Sequence, residues 1–339
     1  MKKILLAMAV LFGCSTVSFA QPNLVATLQH EGSFRHFYGS GALNSAYSAA
    51  ATGDIITLSP GSFSFSGTFN KGITLRGTGF NAATKSYISD QVSFSATDSN
   101  MVATIEGIYF TSTVSIQNNA SGNGQGAIIF VKDFFSNGLE ANYANTYSTV
   151  KGPKVRLYNV QCNNRFYFRF RSYPDFFVYN SYIANPYSSS DFVQNTSAFV
   201  NCFVDYGFSE MLSANYMNFY NCLFRANNNT SYYFPNTATC NNCVCIGNSY
   251  LFKSLLKGVN NKYANSSDVL SEEEGHAWYE LTNEAKETYL GLDGTQVGLY
   301  GGNYPWNTKV QYPIITTFSS DVQTSKEGIL NINVEVDGQ

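Results

Sequence analysis

Charge is scarce in this chain. Only 20 basic and 23 acidic residues are spread over 339 positions, and the formal net charge is −3. A nucleic-acid binder needs a basic face, so that class of partner is excluded. Histidine is scarcer still. His30, His36 and His276 are the only three, and all lie outside the repeated region described below. A histidine-centred acid–base mechanism on the body of the protein is therefore not expected. No acidic cluster of the kind that holds calcium stands out in the repeats. No metal and no cofactor are expected. Long apolar runs are missing beyond the first 20 residues, which excludes a membrane-spanning helix.

Those first residues read as an export signal. Lys2 and Lys3 form a positive start, Ile4 to Gly13 an apolar stretch, and Ser18-Phe19-Ala20 a small-x-small cleavage site before Gln21. A second reading stays open. Leu11-Phe12-Gly13-Cys14 resembles a bacterial lipobox, which would place a lipid anchor on Cys14. Both readings send the chain out of the cytoplasm, to be secreted or held at the outer cell surface, with the periplasm as a further destination.

What is present in quantity is aromatic and turn-forming. The chain has 24 Tyr and 27 Phe, and it is rich in Asn, Ser and Thr. That mixture suits many short strands joined by many turns. The strongest signal is a recurring asparagine. Asn159, Asn180, Asn201, Asn221 and Asn242 each open a short apolar stretch, at gaps of 21, 21, 20 and 21 residues. Earlier segments have the same form with Gly77, Gly107 and Asp133 at the turn, at gaps of 30, 26 and 26 up to Asn159. Gly, Asp and Asn all tolerate the left-handed backbone region. A period near 21 is one coil of three short strands, and the wider early gaps imply inserted loops.

Alternation assigns the faces. Val155 and Leu157, Phe176 and Val178, Met217 and Phe219 precede the turn at inward positions. Val160 and Cys162, Ser181 and Ile183, Cys202 and Val204, Cys222 and Phe224, Cys243 and Cys245 follow it, also inward. Stacked coils lie about 4.8 Å apart, so like residues fall on like. The asparagines are then expected to form a buried ladder, each passing an amide hydrogen bond to the next.

This register also bears on cysteine. Cys240-x-x-Cys243-x-Cys245 has the look of a zinc motif, but every cysteine after Cys14 occupies an inward ladder position. Stacked small hydrophobes account for them. An oxidised pair among Cys202, Cys222 and Cys243 stays open for an exported protein.

At the N-terminal side, Ala42 to Ala51 reads as a short helix stopped at Gly53, Ile55 to Leu58 as a strand, and Ser59-Pro60-Gly61 as a turn. This order resembles the entry to right-handed parallel β-helices of the pectate-lyase-like kind. An N-terminal cap is physically required, because a bare end would expose core and unpaired strand edge. After Asn260 the repeat stops. Ser271 to Glu274 reads as a capping box, and Ala277 to Leu290 as a helix against the C-terminal end of the stack. Ile314 to Ser319 and Ile329 to Val336 read as a hairpin. The stretch from Gly294 to Trp306, with this hairpin, resembles the C-terminal segment of secreted β-helix proteins from Bacteroidetes. The resulting division is a signal peptide over 1–20, a capped parallel β-helix over 21–302, and a linker with a terminal β-hairpin over 303–339. The fold class is all-β, a single-stranded right-handed parallel β-helix.

The resemblance implies mixed functions, among them lyases, glycoside hydrolases and adhesins. Polygalacturonase-like hydrolases carry N-T-D, D-D, G-H-G and R-I-K signatures, and this chain has none. One outward face offers a candidate site. Arg169 and Arg171 should point out, with Asp191 and Glu210 at comparable heights on later coils, and Arg could grip an acidic glycan by bidentate contacts. The structural alternative is an ordinary solvated face. Tyr167, Tyr173, Tyr187, Tyr206 and Tyr233 could stack on sugar rings or simply pack. Two function classes follow: a non-catalytic, glycan-binding or adhesin-like exported protein with a polysaccharide as partner, or a polysaccharide lyase or glycoside hydrolase working on the arginine face.

Overall fold

The structure, a computed structural model, describes residues 24–80, 84–96, 99–117, 126–142, 153–169, 175–184, 186–188, 197–206, 218–226, 239–247, 258–271, 278–307, 314–320 and 332–337. Its body is a right-handed parallel β-solenoid. The first face stacks Ile55–Leu58, Thr74–Arg76, Val102–Glu106, Ala127–Val131, Lys154–Tyr158, Asp175–Tyr179, Ala198–Val200, Asn218–Tyr220 and Thr239–Asn241. The second runs from Gly61–Phe63 through Tyr109–Phe110, Phe134–Phe135, Gln161–Cys162, Tyr182–Ala184, Phe203–Tyr206, Leu223–Ala226 and Val244–Gly247 to Lys262–Ala264. The third runs from Thr68–Phe69 to Pro186–Ser188 and includes Phe166–Arg169.

The core is the inward half of each strand. Phe63, Phe69, Phe94, Phe110, Phe130, Phe135, Phe166, Phe176 and Phe199 are fully buried, and each contributes roughly 1.5–3 kcal/mol relative to an exposed side chain. Phe69 and Phe94 stack across coils at 4.8 Å. The alternation read from the sequence holds. Val155, Leu157, Phe176, Val178 and Phe219 are buried before the turn, and Val160, Ile183, Val204, Phe224 and Cys245 after it. Met217 lies outside the described residues.

The turn column is also as expected in its backbone. Asn159, Asn180, Asn201, Asn221 and Asn242 have φ of 52, 45, 53, 53 and 54°, and Asn260 continues the column at 60°. From Asn159 to Asn242 each donates its N–H to the residue before the next turn, as in Asn180 N to Val200 O at 3.0 Å. Two details differ from expectation. Lys132, not Asp133, takes the left-handed conformation, at φ 56°. Asp133 sits one place later, in register with Val160, and points into the core with its carboxyl accepting from Ile108 N at 2.7 Å and Val131 N at 3.0 Å. Gly77 is not left-handed. A Cβ there would lie 2.5 Å from the Gly107 carbonyl oxygen, so close approach of the next coil demands the glycine.

The residue after the turn forms a second column of small polar groups. Ser181 Oγ donates to Tyr179 O at 2.7 Å, and the thiols of Cys202, Cys222 and Cys243 reach the equivalent carbonyls of Val200, Tyr220 and Asn241 at 3.3–3.5 Å. All six described cysteines are buried free thiols. Among the described residues no group of His, Cys, Asp and Glu is placed to hold a metal ion.

The N-terminal end is sealed by more than the expected helix. Helix α1 (Ala42–Ala49) is present and buries Leu43, Ala46 and Tyr47. In addition, Val25–His30 and Ser33–Tyr38 form an antiparallel hairpin about Glu31-Gly32, and its first strand pairs antiparallel with Ile55–Leu58. His30 Nδ1 and Asp54 Oδ1 tie this hairpin to the first coil at 2.7 Å.

The largest departure lies C-terminal. Residues 266–271 and 278–307 do not simply end the stack; they lie back along its flank. The helix expected over 277–290 shrinks to α3 (Asn283–Thr288), because Thr282 caps it, accepting from Ala285 N. A shorter α2 (Ser266–Val269) precedes it. Val269, Leu270, Leu281, Ala285, Val297 and Leu299 then cover the outward side of the second face, burying Tyr182, Phe203, Leu223, Val244 and Ile246. That face is apolar on both sides, as a covered parallel sheet is. Ile314–Ser320 and Ile332–Asp337 pair antiparallel, as the expected hairpin. No helix among the described residues is long and apolar enough to cross a membrane.

The asparagine side chains join the two parts. They do not form an amide ladder. A left-handed residue on a corner aims its side chain away from the core, and here that direction meets the returning strap. Asn180 Nδ2 donates to Leu299 O at 2.8 Å and Gly301 O at 2.6 Å. Asn201 Nδ2 reaches Gln296 O at 3.3 Å, and Asn221 Oδ1 accepts from Leu292 N at 3.1 Å. Asn159 holds the far end, donating to Tyr304 O at 2.9 Å and accepting from Asn307 N at 3.3 Å. Only Asn159 also touches the next asparagine, through the Asn180 backbone carbonyl at 3.3 Å.

Candidate functional site

The outward column of the second face reads Tyr87, Tyr109, Phe134, Gln161, Tyr182, Phe203, Leu223 and Val244 in neighbouring register. Gln161 is its polar interruption. On either side of it the rings are continuous: Tyr109 stacks on Phe134 at 4.2 Å, and Tyr182 on Phe203 at 5.7 Å. The next outward position on the same strand run places Asn163 beside Gln161, and Gln161 Nε2 donates to Asn163 Oδ1 at 2.7 Å.

A cavity of about 530 Å³ opens over this amide pair, lined by Phe80, Gln161, Asn163, Tyr182, Trp278, Tyr279 and Trp306. The chain contains two tryptophans, and both line it. The rings run as an arc. Phe80 lies 5.8 Å from Phe134 and 6.0 Å from Trp306, Trp306 lies 5.7 Å from Trp278, and Trp278 lies 4.6 Å from Tyr182. Trp278 remains 38 % exposed despite these neighbours. The returning strap therefore supplies one wall and the solenoid the floor.

Tyr279 is held in a strained position. Its φ is 54°, an uncommon region for a bulky residue. Its ring stacks on Tyr182 at 5.3 Å and on Phe203 at 4.2 Å, and its hydroxyl accepts from Arg225 Nη2 at 3.2 Å. Behind it, Asp205 is 7 % exposed and takes two bonds from Arg225 and one from Tyr182 Oη at 2.6 Å. Burial and then the Asp205 carboxylate push the Tyr182 hydroxyl well above its ordinary value, so it stays a donor. Burial alone would lower Arg225, but Asp205 outweighs it and keeps the guanidinium charged. The ion pair is thus internally satisfied and braces the ring wall.

A second cavity of about 530 Å³ lies between α2 and α3, lined by Ser267, Asp268, Thr282, Glu284 and neighbours. Asp268 and Thr282 in its lining are engaged locally. Asp268 accepts from Asn265 Nδ2 at 2.9 Å, and Thr282 caps α3.

The arginine face expected from the sequence falls almost wholly outside the described residues. Arg169 ends the strand Phe166–Arg169, in register with Asn142, but nothing is described of its side chain. Arg171, Asp191 and Glu210 lie outside the described residues, as do Tyr173 and Tyr233 and the side chains of Tyr187 and Tyr206. Nearby on the third face, Arg165 pairs with Glu140 at 3.4 Å and lies over the Tyr167 ring at 4.3 Å.

The pocket residues escaped the sequence reading, though a signal existed. Phe203, Leu223 and Val244 stand at outward positions of their strands, breaking the strict alternation of a half-exposed sheet. A second apolar side requires a cover, and only the segment after Asn260 was left to supply it. Comparison of the chain with protein-family models, with curated proteins and with solved structures gave no match.

Proposed function

We propose that this chain is an exported, non-catalytic β-solenoid that binds glycan in the pocket walled by Trp278 and Trp306. The observation that carries the reading is the convergence of both tryptophans and a strained tyrosine on a floor of two side-chain amides. Aromatic faces offer flat apolar area to the C–H faces of a sugar ring, and amides exchange hydrogen bonds with its hydroxyls. The lining groups are poor acids and bases near neutral pH, which suits recognition better than proton transfer. Export rests on the charged and apolar pattern of residues 1–20.

Tryptophan fluorescence tests this directly. Titration with oligosaccharides should shift the emission of the wild type, and Trp278→Ala should abolish binding while the fold persists by circular dichroism. Glycan binding that is indifferent to Trp278→Ala would remove the pocket from the reading. Turnover of any polysaccharide, followed by new reducing or unsaturated ends, would overturn the non-catalytic assignment.

A further inference from the structure

Resting on the glycan-binding reading above, we infer that the pocket selects an uncharged glycosyl unit presenting a vicinal diol, and rejects uronates. The amide pair carries the first half of this. Gln161 Nε2 is spent on Asn163 Oδ1. Gln161 Oε1 and Asn163 Nδ2 keep no protein partner among the described residues, so an acceptor and a donor stand side by side. Exchanging O and N on both amides would preserve one of each. Two hydroxyls on adjacent carbons match that pair, one donating and one accepting, which is the arrangement a pyranose offers and a lone carboxylate does not.

The surrounding charges carry the second half. None of the lining side chains is cationic. One described guanidinium that touches the lining, Arg225, lies 5.0 Å from the Tyr279 ring centroid and is bound to Asp205 and the Tyr279 hydroxyl. Its charge is balanced before any ligand arrives. A uronate entering the ring arc would lose water without gaining a counter-charge, and burying an uncompensated carboxylate is strongly unfavourable. A neutral ring loses only hydroxyl hydration, part of which the amides and the open side of the pocket return.

The test compares neutral hexose tetrasaccharides with uronate tetrasaccharides of the same linkage by calorimetry, on the wild type, Trp278→Ala and Gln161→Ala. The expected result is binding of a neutral member, unchanged by added salt, lost with Trp278→Ala, and weakened about tenfold by Gln161→Ala, since about 1.4 kcal/mol is one lost hydrogen-bonding pair. Methylating one of the two hydroxyls should cost the wild type as much as Gln161→Ala does. Tighter, salt-sensitive binding of the uronate that still depends on Trp278 would overturn this inference and leave the pocket standing. Neutral binding untouched by Gln161→Ala would overturn the diol assignment. Binding of neither class, or binding indifferent to Trp278→Ala, would overturn the glycan-binding reading itself.

Discussion

Replacing Asn180 separates the two roles of the asparagine column. Its side chain is buried, at 1 % exposure, and donates to the carbonyls of Leu299 and Gly301 at 2.8 and 2.6 Å. Its backbone is left-handed, at φ 45°. Asn180→Ala loses both features, whereas Asn180→Gly keeps the backbone region and loses only the bonds. Two lost hydrogen bonds, with the Gly301 carbonyl left unpaired under the strap and the Leu299 carbonyl keeping only Trp306 N–H, cost about 2–4 kcal/mol. Alanine in the left-handed region adds about 1 kcal/mol more. Asn242 is the internal control: its φ is 54°, and its Oδ1 has no partner among the described residues. Asn242→Gly should therefore cost within about 1 kcal/mol, mostly chain entropy. Urea unfolding gives the free energies. Fluorescence from Trp278 and Trp306 reports the strap, and circular dichroism reports the coils. Asn180→Gly should move the fluorescence transition to lower urea before the dichroism changes, because a repeat body need not unfold as one unit. Equal losses for Asn180→Gly and Asn242→Gly would refute the clasp. A cost present in Asn180→Ala but absent in Asn180→Gly would leave only the backbone role.

Three further outcomes follow from the same packing. Gly301→Ala should prevent the strap from seating, since its Cβ would meet Gln296 O at 1.7 Å and Asn201 Nδ2 at 2.7 Å; a blue- or red-shifted tryptophan emission with unchanged dichroism would show it, and a wild-type spectrum would refute it. The His30–Asp54 contact should make the N-terminal cap depend on pH. The hydrogen bond and charge of Asp54 raise His30 above 6.5, so its contribution is full below that value and fades as pH rises through the raised pKa. Asp54 is lowered below 3.8 despite opposing burial, through Ala51 N–H and His30, so its contribution fades as pH falls through the lowered pKa. Melting temperatures of wild type minus His30→Gln should be largest between those values, and a flat difference from acid to alkaline pH would sink the assignment. Finally, burial pushes Cys162 up to about 12 and holds Cys202, Cys243 and Cys245 well above the ordinary thiol value. Native protein should leave these thiols unmodified by an aromatic disulfide reagent at neutral pH, with reaction appearing only in denaturant.

Periodic and local features were legible in the sequence. The 21-residue recurrence from Asn159 to Asn242 set the coil, and alternation placed Val155, Phe176, Cys202 and Cys243 inside. Both depend on neighbours within one coil, where strand geometry alone decides direction. The hairpin of Val25–His30 and Ser33–Tyr38 was missed although Glu31-Gly32 stands between two alternating runs. The strap was illegible for another reason. Asn180 and Leu299 are 119 residues apart, and nothing periodic links them. The asparagine side chains were assigned to a ladder between coils, which concealed their use in holding the strap. The helix expected near Trp278 failed because Tyr279 adopts positive φ, so its helical spacing with Leu281 and Ala285 served packing against the second face instead.

This double use explains why asparagine stands at turns 159, 180, 201 and 221, where glycine would turn as well. In the coils before Asn159 the column holds Gly77, Gly107 and Lys132, and the described strap contacts begin only at Asn159. From there to Asn221 every turn residue bonds the strap through its amide. Trp306 sits between the two residues that Asn159 grips, Tyr304 and Asn307, and its own N–H is tied to Leu299 O at 2.8 Å. Leu299 is in turn held by Asn180. The ring wall of the pocket thus hangs from two consecutive turns of the solenoid, while its floor, Gln161 and Tyr182, consists of the strands that follow those same two turns. Wall and floor are set by one short piece of backbone. A pocket built this way is organised before ligand arrives, and its geometry depends on the asparagine register that winds the coils.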